Sequence, residues 1–116
     1  MQNEIMRTPY CLVLCTCPEG AQATELARFL VEEHLAACVN ILPGATSVYP
    51  WQGVLEIGRE SLLLIKTEKT RYPLLESRLR ERHPYELPEI VQVSIEQGLP
   101  EYLQWISQWL THATPA

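Results

Sequence analysis

The stretch His83-Pro84-Tyr85-Glu86-Leu87-Pro88-Glu89 sets an imidazole, a phenol and two carboxylates within seven consecutive positions of a 116-residue chain. Imidazole and carboxylate groups bind metals and carry protons, and the two prolines stiffen the backbone that presents them. Cys15, one of three thiols in the stretch CLVLCTC and close to its C-terminal end, adds a further side chain with ligand character. A thiolate and an imidazole together suit copper or zinc, and a carboxylate can complete such a set. Cys15, His83 and Glu89 are therefore the residues that could hold a metal ion.

Each has a plainer alternative. Cys15 on an apolar strand can serve as a small core hydrophobe. His83 ends a helical stretch, where the helix dipole favours a partial positive charge. Glu86 and Glu89 can be solvated acids on a loop or strand edge. Arg82, next to His83, would repel a bound divalent ion. Lys66, at the end of a buried stretch, calls for an acidic partner such as Glu60 or Glu89. Tyr49 and Trp51 read as contacts between copies of the chain, or as the lining of a cleft. His34 falls on an apolar helix stripe and reads as a packing residue. No role is assigned to His112.

The elements that must position these groups follow from periodicity. Tyr10 to Cys17 is a continuous apolar run, the mark of a central strand. Ala21 to Ala37 has helical spacing, with Ala23, Ala27, Leu30 and His34 on one stripe and Leu26 and Leu35 beside it. Cys38 to Leu42 is a second strand, interrupted at Pro43-Gly44 and resumed to Trp51. Gln52-Gly53 makes a hairpin turn into a long strand, Val54 to Glu68. Thr70 is placed to cap the next helix, with Pro73 in its first turn. That helix stops before Pro84, because a residue preceding proline is driven out of the helical region. Glu89 to Glu96 is the last strand, and Leu99 to Leu110 is a terminal helix with a wide apolar face.

The order β-α-β-β-α-β-α predicts an α+β, ferredoxin-like fold: a βαββαβ antiparallel sheet with helices on one face and an extra C-terminal helix. One domain is expected over residues 10–110, with loose ends at 1–9 and 111–116. The C-terminal end of the first strand, which carries Cys15, then lies on the side of the sheet reached by the 83–89 loop, provided the intervening helix runs back along the sheet. Such a sheet has one bare face. The apolar hairpin and three tryptophans offer more apolar surface than one small domain hides, which predicts self-association.

Composition narrows the partners. Nine Lys and Arg stand against fourteen Asp and Glu, for a net charge of -5. A phosphate-binding groove needs clustered cations, so nucleic acid and anionic membranes are not expected. No apolar run approaches the roughly 20 residues of a membrane span, and the first residues lack a signal peptide's apolar core. Three of the four cysteines lie on one strand, where they are poorly placed to pair, so free thiols and a cytoplasmic location are expected. No nucleophile elbow, HExxH or phosphate loop is present, and no enzymatic activity is expected.

Five stretches carry a resemblance: VLCT (13–16), HLAACVNILPGATSVYPWQG (34–53), LLLIKT (62–67), HPYELPE (83–89) and YLQW (102–105). In this order and spacing they resemble the CutA family of divalent-cation tolerance proteins, over nearly all of residues 10–110. The resemblance implies a ferredoxin-like fold, a compact homotrimer similar to that of the PII signalling proteins, and an association with copper (Cu2+) and other divalent cations. It also implies that Cys15 takes part in copper binding. A second reading stays open, in which a PII-like trimer binds a small ligand and metal is incidental. Some family members carry a further histidine where this chain has Arg82.

Overall fold

The computed structural model describes residues 8–111. The strand β1 (Tyr10–Cys17) has the bounds that its apolar run predicts. With β2 (Cys38–Trp51), β3 (Val54–Glu68) and β4 (Ile90–Ser94) it makes a four-stranded antiparallel sheet of order β2-β3-β1-β4, in which β3 and β4 flank it. This is the ferredoxin-like arrangement. Side chains alternate across a strand, so Cys11, Val13, Cys15 and Cys17 face one way and are fully buried. Tyr10, Leu12, Leu14 and Thr16 face the other way and are half-buried.

Two helices cover the first face. Helix α1 (Ala21–Glu32) buries Ala23, Leu26, Ala27 and Leu30. Helix α2 (Tyr72–Arg82) buries Leu75 and Leu79. With Leu63 and Ile65 of β3 and the inward residues of β1 they make one core. Burying each such large side chain stabilises the fold by about 1.5–3 kcal/mol.

Helix α1 is shorter than its apolar pattern predicts. It ends at Glu32, and His34 takes a positive φ of 57°. The amides of Leu35 and Ala36 both return to the Leu30 carbonyl, at 2.9 and 3.1 Å. Leu35 and Ala36 are buried all the same, because the reversing chain tucks beneath the helix, and Ala37 is buried against Ile106 and Leu110. Their apolarity therefore continued the helical pattern without belonging to it.

Strand β2 (Cys38–Trp51) pairs with β3 along its whole length. The Pro43-Gly44 interruption is a bulge: the register shifts between Leu42 and Ala45. Gly44 has φ 81°, and its amide donates to the Glu19 carboxylate of the β1–α1 loop. Gln52 and Gly53 both have positive φ, 52° and 81°, which is the type I′ geometry that matches strand twist.

The expected Thr70 cap does not form. A 3-10 turn, Lys69–Arg71, precedes α2, and no side chain caps either element. Arg71 is instead spent on the carbonyls of His34 and Leu110, at 3.2 and 2.5 Å. Helix α3 (Pro100–Thr111) packs by Ile106 and Leu110 against Ala37, with Tyr10, Leu103 and Trp109 around them. His34 stacks on Trp109 at 4.2 Å between centroids, the packing role expected of it. Leu99 and Tyr102 of the expected apolar face stay exposed, as does Trp105 beside them.

The face of the sheet opposite α1 and α2 is largely open. Val91 and Val93 are 45% and 47% exposed, and Tyr49 and Trp51 of the long hairpin are exposed on the same side, while Leu55 and Ile57 are exposed on the hairpin's other side. Thr8 donates to the Ile95 carbonyl, and Pro9 accepts from Lys69. Most of the two ends expected to be loose, residues 1–7 and 112–116, lies outside the described residues. All four cysteines are free. Among the described residues no helix is long and apolar enough to cross a membrane.

Candidate functional site

At the C-terminal end of β1 the open face holds a cleft of about 680 Å3. Thr16 of β1, Ser47, Tyr49 and Trp51 of β2, Glu60 of β3, and Tyr85, Glu86 and Glu89 of the loop before β4 line it. The sheet pairing explains the gathering. Thr16 is opposite Leu62, so Glu60, two residues before Leu62, shares its face. The bulge then places Ala45 opposite Glu60 and brings Ser47, Tyr49 and Trp51 onto the same side. Pro84 closes the wall.

Glu60 is only 8% exposed. The Tyr85 hydroxyl donates to its carboxylate. Burial, then that hydrogen bond, then the negative charge of Glu60 hold the Tyr85 phenol protonated well above its ordinary range. Among the described residues three carboxylates line this cleft and no Lys, Arg or His side chain does. Arg59 lies near Glu19, at 3.7 Å. Lys66 is bound to Asn40 and lies 3.9 Å from the Cys38 sulfur, so neither Glu60 nor Glu89 is its partner.

The three residues singled out as metal ligands are divided by the sheet. Glu89 lines the cleft, one residue before Ile90, which pairs with Cys15. Cys15 points to the opposite side, into the helix-covered core, at 0% exposure. Burial pushes its thiol up from 9.0 to about 12, and the neighbouring charges of Cys17, Glu89 and Glu60 add to the rise. His83 is close to Cys15, because both donate to the Thr16 carbonyl: Cys15 Sγ at 3.6 Å and His83 Nε2 at 2.7 Å. His83 Nδ1 accepts the Tyr85 amide at 3.1 Å, which assigns the ring proton to Nε2.

A copper ion needs a thiolate and a free imidazole lone pair. Here the thiol is sealed in the helix-covered core and both ring nitrogens are engaged by backbone groups, so Cys15 and His83 as placed present no free lone pairs to copper. Among the described residues no group of three His, Cys, Asp or Glu side chains could hold an ion. Arg82, expected to repel an ion beside His83, lies over the Phe29 ring at 3.7 Å.

In the sequence alone Glu60 reads only as a partner for Lys66. The signal for its place in the cleft is an acid at the head of the apolar run SLLLI, on the same strand face as Leu62 and Leu64. Thr16 carried no such mark.

The family model described as CutA1 divalent ion tolerance protein matches residues 11–109. The chain belongs to the CutA1 divalent ion tolerance family. A divalent-cation tolerance protein CutA of Thermus thermophilus is 48% identical over 97 residues, which cover 84% of this CutA1-family chain and 94% of that protein. A mouse CutA protein is 46% identical over 93 residues, 80% of this chain; the chain spans about half, 52%, of the mouse protein's length. The crystal structure of CutA from Xylella fastidiosa superposes with a TM-score of 0.86 at 46% identity, covering 89% of this chain and 99% of that one.

Proposed function

We propose that this CutA1-family chain acts in divalent-cation tolerance as a cytoplasmic homotrimer, and that it receives cations in the cleft at the end of β1 without catalysing a reaction. The observation that carries the reading is the lining: Glu60, Glu86 and Glu89, with no cationic side chain among the described residues of the cleft. A cleft walled by one sign of charge concentrates the opposite ion. Anionic effectors such as nucleotides meet repulsion there, which ranks the PII-like alternative second. The described residues of one copy do not assemble a complete ligand set, and a neighbouring copy on the open face supplies further donors and covers the apolar hairpin. The free thiols suit a reducing compartment.

Calorimetric titration of the purified protein with Cu2+, Zn2+ and ATP tests the ligand class. Saturable heat with either metal and none with ATP is expected, weakened in Glu89→Gln. Binding of ATP alone would transfer the cleft to the PII-like reading. Light scattering at micromolar concentration should return three copies; a monomer or dimer overturns the trimer.

A further inference from the structure

We infer that His83 is the positioning residue of the cleft and not one of its ligands: its ring fastens the Tyr85 backbone to the end of β1 and so sets the Tyr85 phenol on Glu60. The inference rests on the cleft reading for its consequences and on geometry alone for its substance.

The chain of contacts is continuous. Thr16 ends the cleft-side row of β1, and its carbonyl accepts His83 Nε2–H at 2.7 Å. His83 Nδ1 accepts the amide of Tyr85 at 3.1 Å. The Tyr85 phenol, 4.8 Å from the imidazole between centroids and tilted by 56°, donates to Glu60. At 7% exposure the ring is buried, so these bonds are not exchanged for water. An ion at either nitrogen would have to displace a buried backbone partner. Pro84 removes one amide from this turn and fixes its own φ, so the next amide, that of Tyr85, is the one aimed at the imidazole. The imidazole is thereby set as a neutral spacer of fixed tautomer between two backbone groups.

A spacer and a ligand are separable. In protein carrying nitrogen-15 histidine, long-range proton–nitrogen spectra should show His83 protonated on Nε2 only. The spectrum should stay unchanged when Zn2+, a diamagnetic probe, is added to saturation. A Zn2+-dependent shift of either His83 nitrogen overturns the inference.

Two variants give a second readout. In His83→Asn the side-chain oxygen can still accept the Tyr85 amide; in His83→Ala nothing can. Loss of this buried bond should weaken Zn2+ binding roughly 10-fold in the alanine variant and leave the asparagine variant within about 3-fold of the parent. Equal weakening in both is the behaviour of a lost ligand and overturns the inference. The carbon-13 resonance of the Tyr85 ring carbon bearing the hydroxyl reports the bond to Glu60 without any metal. It should move in His83→Ala and return in His83→Asn; no movement in the alanine variant refutes the positioning role. Should the parent protein bind neither Cu2+ nor Zn2+, the cation reading of the cleft falls, and the tautomer and the Tyr85 resonance still decide the role of His83.

Discussion

The two sides of β1 divide the chemistry of this protein between a sealed layer and an open one. On the helix side lie Cys11, Val13, Cys15 and Cys17, all at 0% exposure. On the other side lie Tyr10, Leu12, Leu14 and Thr16, which are half-buried and lead into the cleft. The residues are neighbours in sequence, yet one step along the strand separates a thiol locked in the core from a hydroxyl on the cleft wall. Closeness in sequence to a functional surface thus says little about belonging to it; the parity of the strand position decides.

The sharpest way to break this contrast is to truncate one leucine from each face of β3. Leu63→Ala empties a fully buried site in the core and should cost about 2–5 kcal/mol in denaturant unfolding, at any protein concentration. Leu64→Ala lies on the half-buried face. Its cost should act through assembly and so grow as the protein is diluted. Equal, concentration-independent losses would show that the two faces are not distinct in solution.

Next in size is Thr67, fully buried on the helix side, whose hydroxyl donates to the Leu35 carbonyl at 2.7 Å. Thr67→Val keeps the volume, strands that carbonyl and should destabilise by about 1–3 kcal/mol. Thermal or urea unfolding of the variant measures this directly.

Much of this division was legible in the sequence, and the part that was not has physical causes. The bounds of β1 and β3 and the turn at Gln52-Gly53 follow from apolar runs and turn chemistry, which are local. The end of α1 was not legible, because Leu35 to Ala37 are apolar for a reason unrelated to helical period: they are packed by a reversing chain. The cap on α2 was misread because Thr70 falls inside a 3-10 turn. The cleft was half legible. Tyr85, Glu86 and Glu89 cluster in sequence, but Glu60 joins them only through strand register, 25 positions away from Tyr85. The proton on His83 depends on what its neighbours donate and accept, which no residue type discloses.

A smaller effect separates the faces by pH. Burial raises the thiol of Cys15 from 9.0 to about 12 and that of Cys11 from 9.0 to about 11. The folded chain therefore holds protons that the unfolded chain releases above pH 9. This stabilisation is complete below that value and is lost as pH rises through 11 and 12. Urea midpoints taken from pH 8 upward should fall, and Cys15→Ala should flatten part of the fall. In the native state at pH 8, alkylation followed by peptide mapping should label Cys38, which is half-buried beside Lys66, before the three thiols of β1.

The smallest expected change lies on the outer surface of α1. Arg28 and Glu32 form an exposed pair at 3.1 Å. Arg28→Ala should alter stability by no more than about 0.5 kcal/mol. A larger loss in unfolding experiments would mean that this surface is covered by something else.

The long hairpin also bears on the order in which the molecule assembles. β2 and β3 are joined by two residues and pair from Trp51–Val54 back to Cys38–Lys66. Their ladder can close progressively from the turn, each step bringing together residues that are already near, so little loop entropy is lost per contact. β1 must instead meet Glu68 of β3 and Ser94 of β4 across long stretches of chain. The hairpin should therefore be formed at the folding barrier while β4 docks after it. Replacing Gly53, whose φ of 81° only glycine adopts freely, should slow refolding. Val93→Ala in β4 should leave the refolding rate nearly unchanged and speed unfolding. A stopped-flow comparison of the two variants would show whether the tongue that carries Tyr49 and Trp51 to the cleft is also the place where folding begins.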